Sequence, residues 1–166
     1  MTMRTLLLMR HAKSDYPAGV PDRERPLAAR GERDAVAAGM WLHAAFPAID
    51  QVTVSPARRA HETWTRVAPY VEVGDVQEDA RVYDDWGTHL QEVVAGLPDA
   101  ARSALVIGHN PGIEEFTMSH ATSGDPQARE RVLRKFPTSA IAVLHLADTW
   151  ADAHGCAIVA LAIPRG

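Results

Sequence analysis

The sequence has little cysteine, no long apolar run and no excess of positive charge. Its one cysteine, Cys156, cannot form an internal disulfide, so stability must come from a hydrophobic core. No apolar run approaches the ~18 residues that span a bilayer. The apolar residues 6–9, between Arg4 and Arg10, also fall short of the roughly 7–15 residues of a signal-peptide core. We therefore expect a cytoplasmic protein with no membrane partner.

The charge balance argues against a general nucleic-acid binder. Lysine plus arginine number 17 and aspartate plus glutamate 21, which gives a net charge of −4 and a pI near 6.0. The 166 residues contain no internal repeat or low-complexity tract, and 46% are hydrophobic. These values are typical of a soluble globular protein, and we expect one domain over residues 1–166.

Strand and helix patterns alternate along the chain. Apolar runs predict strands at residues 5–9, 51–54, 71–73, 105–107, 139–146 and 156–163. Apolar spacing predicts one helix over residues 28–45, with Gly39, Leu42 and Phe46 on its inner face beside Val36 and Met40, and others along residues 60–68 and 90–97. A further helix should follow Asn110 as its cap, with Pro111 at its first position.

This alternation predicts an α/β fold, and we expect a three-layer α/β/α sandwich with a mostly parallel, mixed central sheet. The stretch 14–26 contains three prolines and should form a surface loop. In sheets of this kind, ligands bind beyond the carboxyl ends of the strands.

Three predicted strands end in residues of one chemical character. The first leads into Arg10-His11, the second into Ser55 and then Arg58-Arg59, and the 105–107 strand into Gly108-His109. If these strands are parallel neighbours, one crevice collects two histidines, at least two arginines and free N–H groups. Arginine and helix N-termini bind anions such as phosphate. A histidine among cations stays neutral, and a neutral imidazole beside a phosphoryl group is a nucleophile.

Each feature taken alone has a simpler interpretation. Arg58-Arg59 is by itself typical of a solvated helix start, and a histidine after glycine can simply shape a turn. We expect surface or structural roles for the other histidines, namely His43, His61, His89, His120, His145 and His154. The recurrence of the pattern at three strand ends favours a site.

These motifs, in this order, resemble the histidine phosphatase superfamily (phosphoglycerate mutase-like). Within it, the sequence is similar to the small SixA-type phosphohistidine phosphatases over about residues 5–146. The residues that carry this resemblance are Arg10-His11-Ala12-Lys13-Ser14, Arg25-Pro26-Leu27 with Gly31, Ser55-Pro56 with Arg59-Ala60 and Thr63, Gly108-His109, and Phe136 to Ala140.

The resemblance implies a role for each matching residue. His11 would attack phosphorus and become phosphohistidine, Arg10 and Arg59 would hold the phosphoryl oxygens, and His109 would stabilise the transition state. Arg58 lies next to the family position and would be a rim residue. Ala12 replaces the usual glycine, as in SixA-like sequences, and Glu62 replaces a common glutamine and makes the rim more acidic.

None of these motifs supplies a general acid. Many relatives use a glutamate, for which the best equivalent here is Asp84, although Asp84 and Asp85 are also typical of a solvated turn. A weak acid suits cleavage of a P–N bond better than of a phosphate ester, because imidazole is an easier leaving group than an alkoxide.

We therefore favour a metal-independent phosphatase without a cofactor, acting on phosphohistidine of a protein. One alternative is a phosphatase or mutase for small phosphate esters, which would need a carboxylate acid. A second is a non-catalytic phosphate-binding module. A metal site is the remaining alternative. It is disfavoured because the sequence has no His-x-x-x-His spacing and because the arginines beside His11 would repel a cation. The sequence does not specify the oligomeric state.

Overall fold

The chain forms a central sheet with helices on both faces. The computed structural model describes residues 3–83 and 88–166. The strands within these ranges are β1 (Met3–Arg10), β2 (Ala48–Val54), β3 (Glu72–Glu78), β4 (Ser103–Gly108), β5 (Ala121–Gly124), β6 (Ile141–Ala147) and β7 (Cys156–Ala162). The helices are α1 (Ala29–Ala45), α2 (Arg58–Val67), α3 (Thr88–Ala95), α4 (Gly112–His120) and α5 (Pro126–Arg134). Over the described ranges, no helix is both long enough and apolar enough to cross a membrane.

The strand order places the three predicted motifs side by side. The order is β3-β2-β4-β1-β6-β7-β5. β4 pairs in parallel with both β1 and β2, so the carboxyl ends of all three lie at one edge of the sheet. β6 is antiparallel to its neighbours β1 and β7. The predicted α/β fold with a mostly parallel, mixed sheet is therefore confirmed.

The alternation of side chains along the central strands builds a core on each face. Leu6 and Leu8 of β1 belong to a buried cluster with residues of α3, α4 and α5. Leu7 and Met9 belong to a second cluster, which includes Ala38 of α1 and residues of α2. Because a strand points successive side chains to opposite faces, the run of apolar residues in β1 serves both clusters. The result is the expected three-layer arrangement.

Several element boundaries differ from the prediction. Gly39 and Leu42 lie on the inner face of α1 as predicted, together with Ala35 and Ala38, whereas Met40 is 58% exposed. β3 begins at Glu72 and runs to Glu78, because it pairs with β2 through its backbone while most of its side chains face solvent. The apolar pattern did not predict β5 or α5, because both elements are largely polar. α5 buries only Ala128 and Val132.

The predicted cap of α4 was wrong. The peptide bond between Asn110 and Pro111 is cis, and Pro111 is itself the N-cap of the helix that begins at Gly112. The Asn110 amide donates instead to the Phe136 carbonyl oxygen at 3.1 Å. Asn110 thus connects the end of β4 to the segment before β6.

Candidate active site

The ends of β1, β2 and β4 bring His11, Ser55 and His109 together. The His11 N–H donates to the Gly108 carbonyl at 2.9 Å, and the Ser55 N–H donates to the Ile107 carbonyl at 3.0 Å. These bonds extend the parallel ladders by one residue and fix the start of each loop. The rings of His11 and His109 consequently lie 5.1 Å apart between centroids, as the sequence pattern predicted.

A polar cavity of about 190 Å³ lies at this edge of the sheet. Its basic lining residues are Arg10, Lys13, Arg25 and Arg59, and among the described residues no carboxylate lines it. The rest of its lining consists of His11, Ser14, Tyr16, His109, Asn110 and Thr138. A cavity with this balance of charge is suited to an anion.

His11 is neutral and has one ring nitrogen available. Its Nδ1 lies 2.7 Å from the Ala12 carbonyl oxygen, which can only accept, so Nδ1 carries the proton and Nε2 the lone pair. Burial lowers the pKa of His11 well below its usual 6.5, and the neighbouring His109, Arg59 and Arg10 lower it further. His11 therefore presents a neutral imidazole at pH 7.

Ser55 is the hydrogen-bond partner of the His109 ring. The Ser55 hydroxyl oxygen accepts from the Ala57 N–H at 3.2 Å and lies 2.7 Å from Nε2 of His109. If this hydroxyl donates to Nε2, the proton of the neutral ring is on Nδ1. That Nδ1 atom is buried and has no hydrogen-bond partner among the described residues. Burial lowers the pKa of His109 to about 3, with Arg59 acting in the same direction.

The two arginines of the site also have unpaired buried donors. One Nη of Arg10 donates to the Phe136 carbonyl oxygen at 3.0 Å, and Arg59 donates to Asp22 through both Nη atoms, at 2.7 and 3.1 Å. The Nε atoms of both arginines are buried without a partner within the described ranges. An unpaired buried donor is costly, so an oxyanion in the cavity would stabilise the site.

Asp22 joins the loops around the cavity, and no sequence motif predicted this role. Its carboxylate accepts from Arg25 at 2.9 Å, from Arg59 at 3.1 Å and from the Tyr83 hydroxyl at 2.7 Å. The hydrogen bond from Tyr83 is the main cause that holds the pKa of Asp22 well below its usual range, with Arg25 and Arg59 adding to it. Asp22 is thus an anion at neutral pH. Asp22 lies in a proline-containing loop, far in sequence from any strand end, so it belongs to none of the motifs.

Two residues of the sequence motifs support the turn after His11. The Thr63 hydroxyl accepts from the Ala12 N–H at 3.0 Å and donates to the Arg59 carbonyl at 2.7 Å, which connects α2 to the loop that follows His11. A Cβ atom on Gly31 would collide with the Lys13 carbonyl oxygen. Glycine is therefore needed for α1 to pack against this loop.

The remaining candidates lie outside the cavity or outside the described ranges. Arg58 is exposed and forms an ion pair with Glu62 at 3.3 Å, while Glu62 also accepts from the Leu27 N–H. Asp84 lies outside the described residues. The residues that line the cavity include none of the other six histidines, and the described ranges contain no cluster of three or more residues suited to hold a metal ion.

The chain was compared with models of known families. Residues 6–105 match the model of the histidine phosphatase superfamily (branch 1). An uncharacterized protein of Mycobacterium tuberculosis is 42% identical, with 95% of this chain and all of the relative covered. An uncharacterized protein of Mycobacterium leprae is 38% identical, with the same coverage.

Solved structures share the fold over nearly the whole chain. A candidate phosphohistidine phosphatase SixA from Nakamurella multipartitia has a TM-score of 0.87 at 30% identity, covering 99% of this chain and 98% of the other. The protein histidine phosphatase SixA complexed with tungstate has a TM-score of 0.75 at 23% identity, covering 96% and 97%. A mycobacterial glucosyl-3-phosphoglycerate phosphatase has a TM-score of 0.65 at 18% identity, covering 94% and 97%. The last two likenesses concern the fold alone.

Proposed function

We propose that the cavity beside His11 is where this protein removes a phosphoryl group from its substrate. The chain belongs to the histidine phosphatase superfamily and is a phosphatase. We propose further that the substrate is phosphohistidine on a protein. His11 acts as the nucleophile, and Arg10, Arg59 and His109 hold the phosphoryl oxygens.

One observation carries this proposal. Three buried polar atoms without partners belong to residues that line one cavity with the neutral ring of His11: the Nε donors of Arg10 and Arg59, and Nδ1 of His109, which is a donor in the tautomer that accepts from Ser55. The oxygens of a phosphoryl group would pair these donors, and such bonds strengthen as charge moves onto the oxygens in the transition state. The free lone pair of His11 Nε2 supplies the nucleophile.

The reaction then proceeds in two displacements. In the first, Nε2 of His11 forms a bond to phosphorus while the P–N bond of the substrate breaks, and the electron pair of that bond stays on the leaving imidazole. In the second, water forms a bond to phosphorus, loses a proton to solvent, and the P–N bond to His11 breaks. Inorganic phosphate leaves and His11 recovers its lone pair.

The choice of a P–N substrate depends on proton supply. The Asp22 carboxylate accepts a hydrogen bond from Arg59. Because it is an anion that accepts from three hydrogen-bond donors, it is unsuited to protonate a leaving group. An imidazole leaves as a neutral ring once its other nitrogen, with an ordinary pKa of about 6.5, carries a proton, whereas an alkoxide requires a positioned acid. The likeness to the SixA protein from Nakamurella multipartitia at 30% identity supports the same choice.

Asp84 is the residue on which the alternative depends. We keep it as the proposed acid for small phosphate esters, the substrate class of the glucosyl-3-phosphoglycerate phosphatase that shares this fold. If Asp84 is that acid, Asp84→Asn lowers turnover of alkyl phosphates more than turnover of phosphohistidine.

A substrate panel tests the proposal. We expect kcat/KM for a phosphohistidine protein to exceed that for phosphoserine peptides and sugar phosphates, with turnover unchanged by EDTA. His11→Ala should lower turnover by about a thousandfold or more, because no other group can form the covalent intermediate. His43→Ala is the matched control, since His43 is exposed and outside the cavity. A higher kcat/KM for sugar phosphates would reject the phosphohistidine assignment, and near-full activity of His11→Ala would reject the nucleophile.

A further inference from the structure

Tyr16 is an aromatic residue placed at the cavity with most of its surface in solvent. It is 76% exposed, the largest value among the exposed large hydrophobic residues of the described ranges. It also lines the same cavity as His11 and Arg10. A single exposed apolar residue is ordinary, but one at the wall of a polar cavity is available to a ligand.

Arg25 fixes the position of the Tyr16 ring. The guanidinium carbon of Arg25 lies 3.5 Å from the centroid of that ring, so it covers one face. Arg25 is itself buried and held by the Asp15 carbonyl oxygen at 3.0 Å, the Asp22 carboxylate at 2.9 Å and the Ser14 hydroxyl. A ring stacked on a fixed guanidinium has little freedom to turn away.

We propose that the uncovered face of Tyr16 is a subsite for a planar aromatic leaving group, the imidazole ring of phosphohistidine being the natural occupant. This inference rests on the proposed function and deepens it, because it names the part of the site that selects the leaving group. The arginines and His109 recognise the phosphoryl group, which all phosphate substrates share. Tyr16 adds a contact that only substrates with a flat ring can make, since offset stacking needs two π-systems.

The specificity ratio between ring-bearing and ringless substrates tests the subsite. Tyr16→Leu keeps an apolar side chain but removes the ring, and we expect kcat/KM for phenyl phosphate to fall about threefold to tenfold relative to that for ethyl phosphate. Tyr16→Phe keeps the ring and should keep the ratio. Met40→Ala, which changes an exposed apolar residue of α1, is the control for general effects on the fold.

The same variants are then measured with phosphohistidine and phosphoserine peptides, where we expect the ratio to shift in the same direction. An equal loss on both substrate types in Tyr16→Leu would show that the ring only shields Arg25, and no loss on either would show that the ring contacts no leaving group. Both results overturn the subsite.

This outcome is separable from the failure of the proposed function. If the wild-type protein does not hydrolyse phosphohistidine, that function is wrong, whereas the subsite is still judged by phenyl against ethyl phosphate.

Discussion

His109 shows how burial and charge act together on one side chain. Its ring is 8% exposed, and burial, with Arg59 and Arg10 nearby, lowers its pKa to about 3, while Asp22 acts in the opposite direction. The folded protein therefore resists protonation of this ring at pH values where an unfolded chain accepts the proton. Such a difference makes folding stability depend on pH.

We expect the free energy of unfolding to fall as pH drops from about 6.5 to about 3, where the unfolded state binds a proton that the folded state excludes. The contribution of His109 reaches on the order of 5 kcal/mol at the acidic end. Urea unfolding of wild type and His109→Gln across this range measures it, because the variant cannot titrate here. Parallel stability curves for the two proteins would contradict the assigned pKa.

At the scale of elements, loops that are distant in sequence are joined at the cavity. Asp22 lies between β1 and α1, Arg59 is in the first turn of α2, and Tyr83 follows β3. The Asp22 carboxylate joins these segments, because it accepts hydrogen bonds from Arg25 of its own loop, from Arg59 and from Tyr83. Arg59 thereby keeps its guanidinium fixed before any anion binds, which lowers the entropy cost of binding.

Removing the charge of Asp22 tests this positioning role. In Asp22→Asn we expect kcat/KM to fall about tenfold and phosphate to inhibit more weakly, because Arg59 loses an ionic partner. The opposing effect, removal of a negative charge near the anion site, would instead make phosphate inhibit more strongly, and that result would contradict positioning. Asp15→Asn is the control in the same loop, because its side chain makes no ion pair among the described residues.

A substitution at Gly31 tests the contact between α1 and the loop that follows His11. Gly31→Ala places a Cβ atom against the Lys13 carbonyl, and we expect a loss of about 1–3 kcal/mol in stability from this overpacking. Gly96→Ala, whose Cβ would approach its nearest neighbour only to 3.3 Å, should change stability by less than about 1 kcal/mol. Thermal unfolding of both variants measures the difference; equal melting temperatures would contradict the close approach.

Across the whole molecule, stability should decrease from the centre of the sheet to its edges. β1 and β4 are central and buried by helices on both faces, whereas β3 is an edge strand with exposed side chains. We expect the slowest amide hydrogen exchange in β1 and β4 and faster exchange in β3 and β5. Exchange measured by mass spectrometry tests this order, and a β3 protected as strongly as β1 would contradict it.

The sequence was sufficient for the parts of the site that follow strands. Arg10-His11 and Gly108-His109 come directly after apolar runs, so a parallel sheet was enough to bring them together. Asp22 was not predictable, because its importance comes from three contacts made only in the folded chain. Asp125-Pro126 is a helix-start pattern that could have predicted α5, since Asp125 accepts from the Gln127 N–H as its N-cap. The helix was missed because it has no long apolar face.

Isolation of the covalent intermediate tests the central claim, attack by His11 on phosphorus, most directly. The protein is mixed with a substrate carrying a labelled phosphoryl group, quenched in alkali because a P–N bond is labile in acid, and digested for mapping. We expect the label on the peptide that contains His11, with its loss in His11→Ala and its retention in His43→Ala. Label on another residue, or turnover with no labelled protein at any time, would contradict the nucleophilic role of His11.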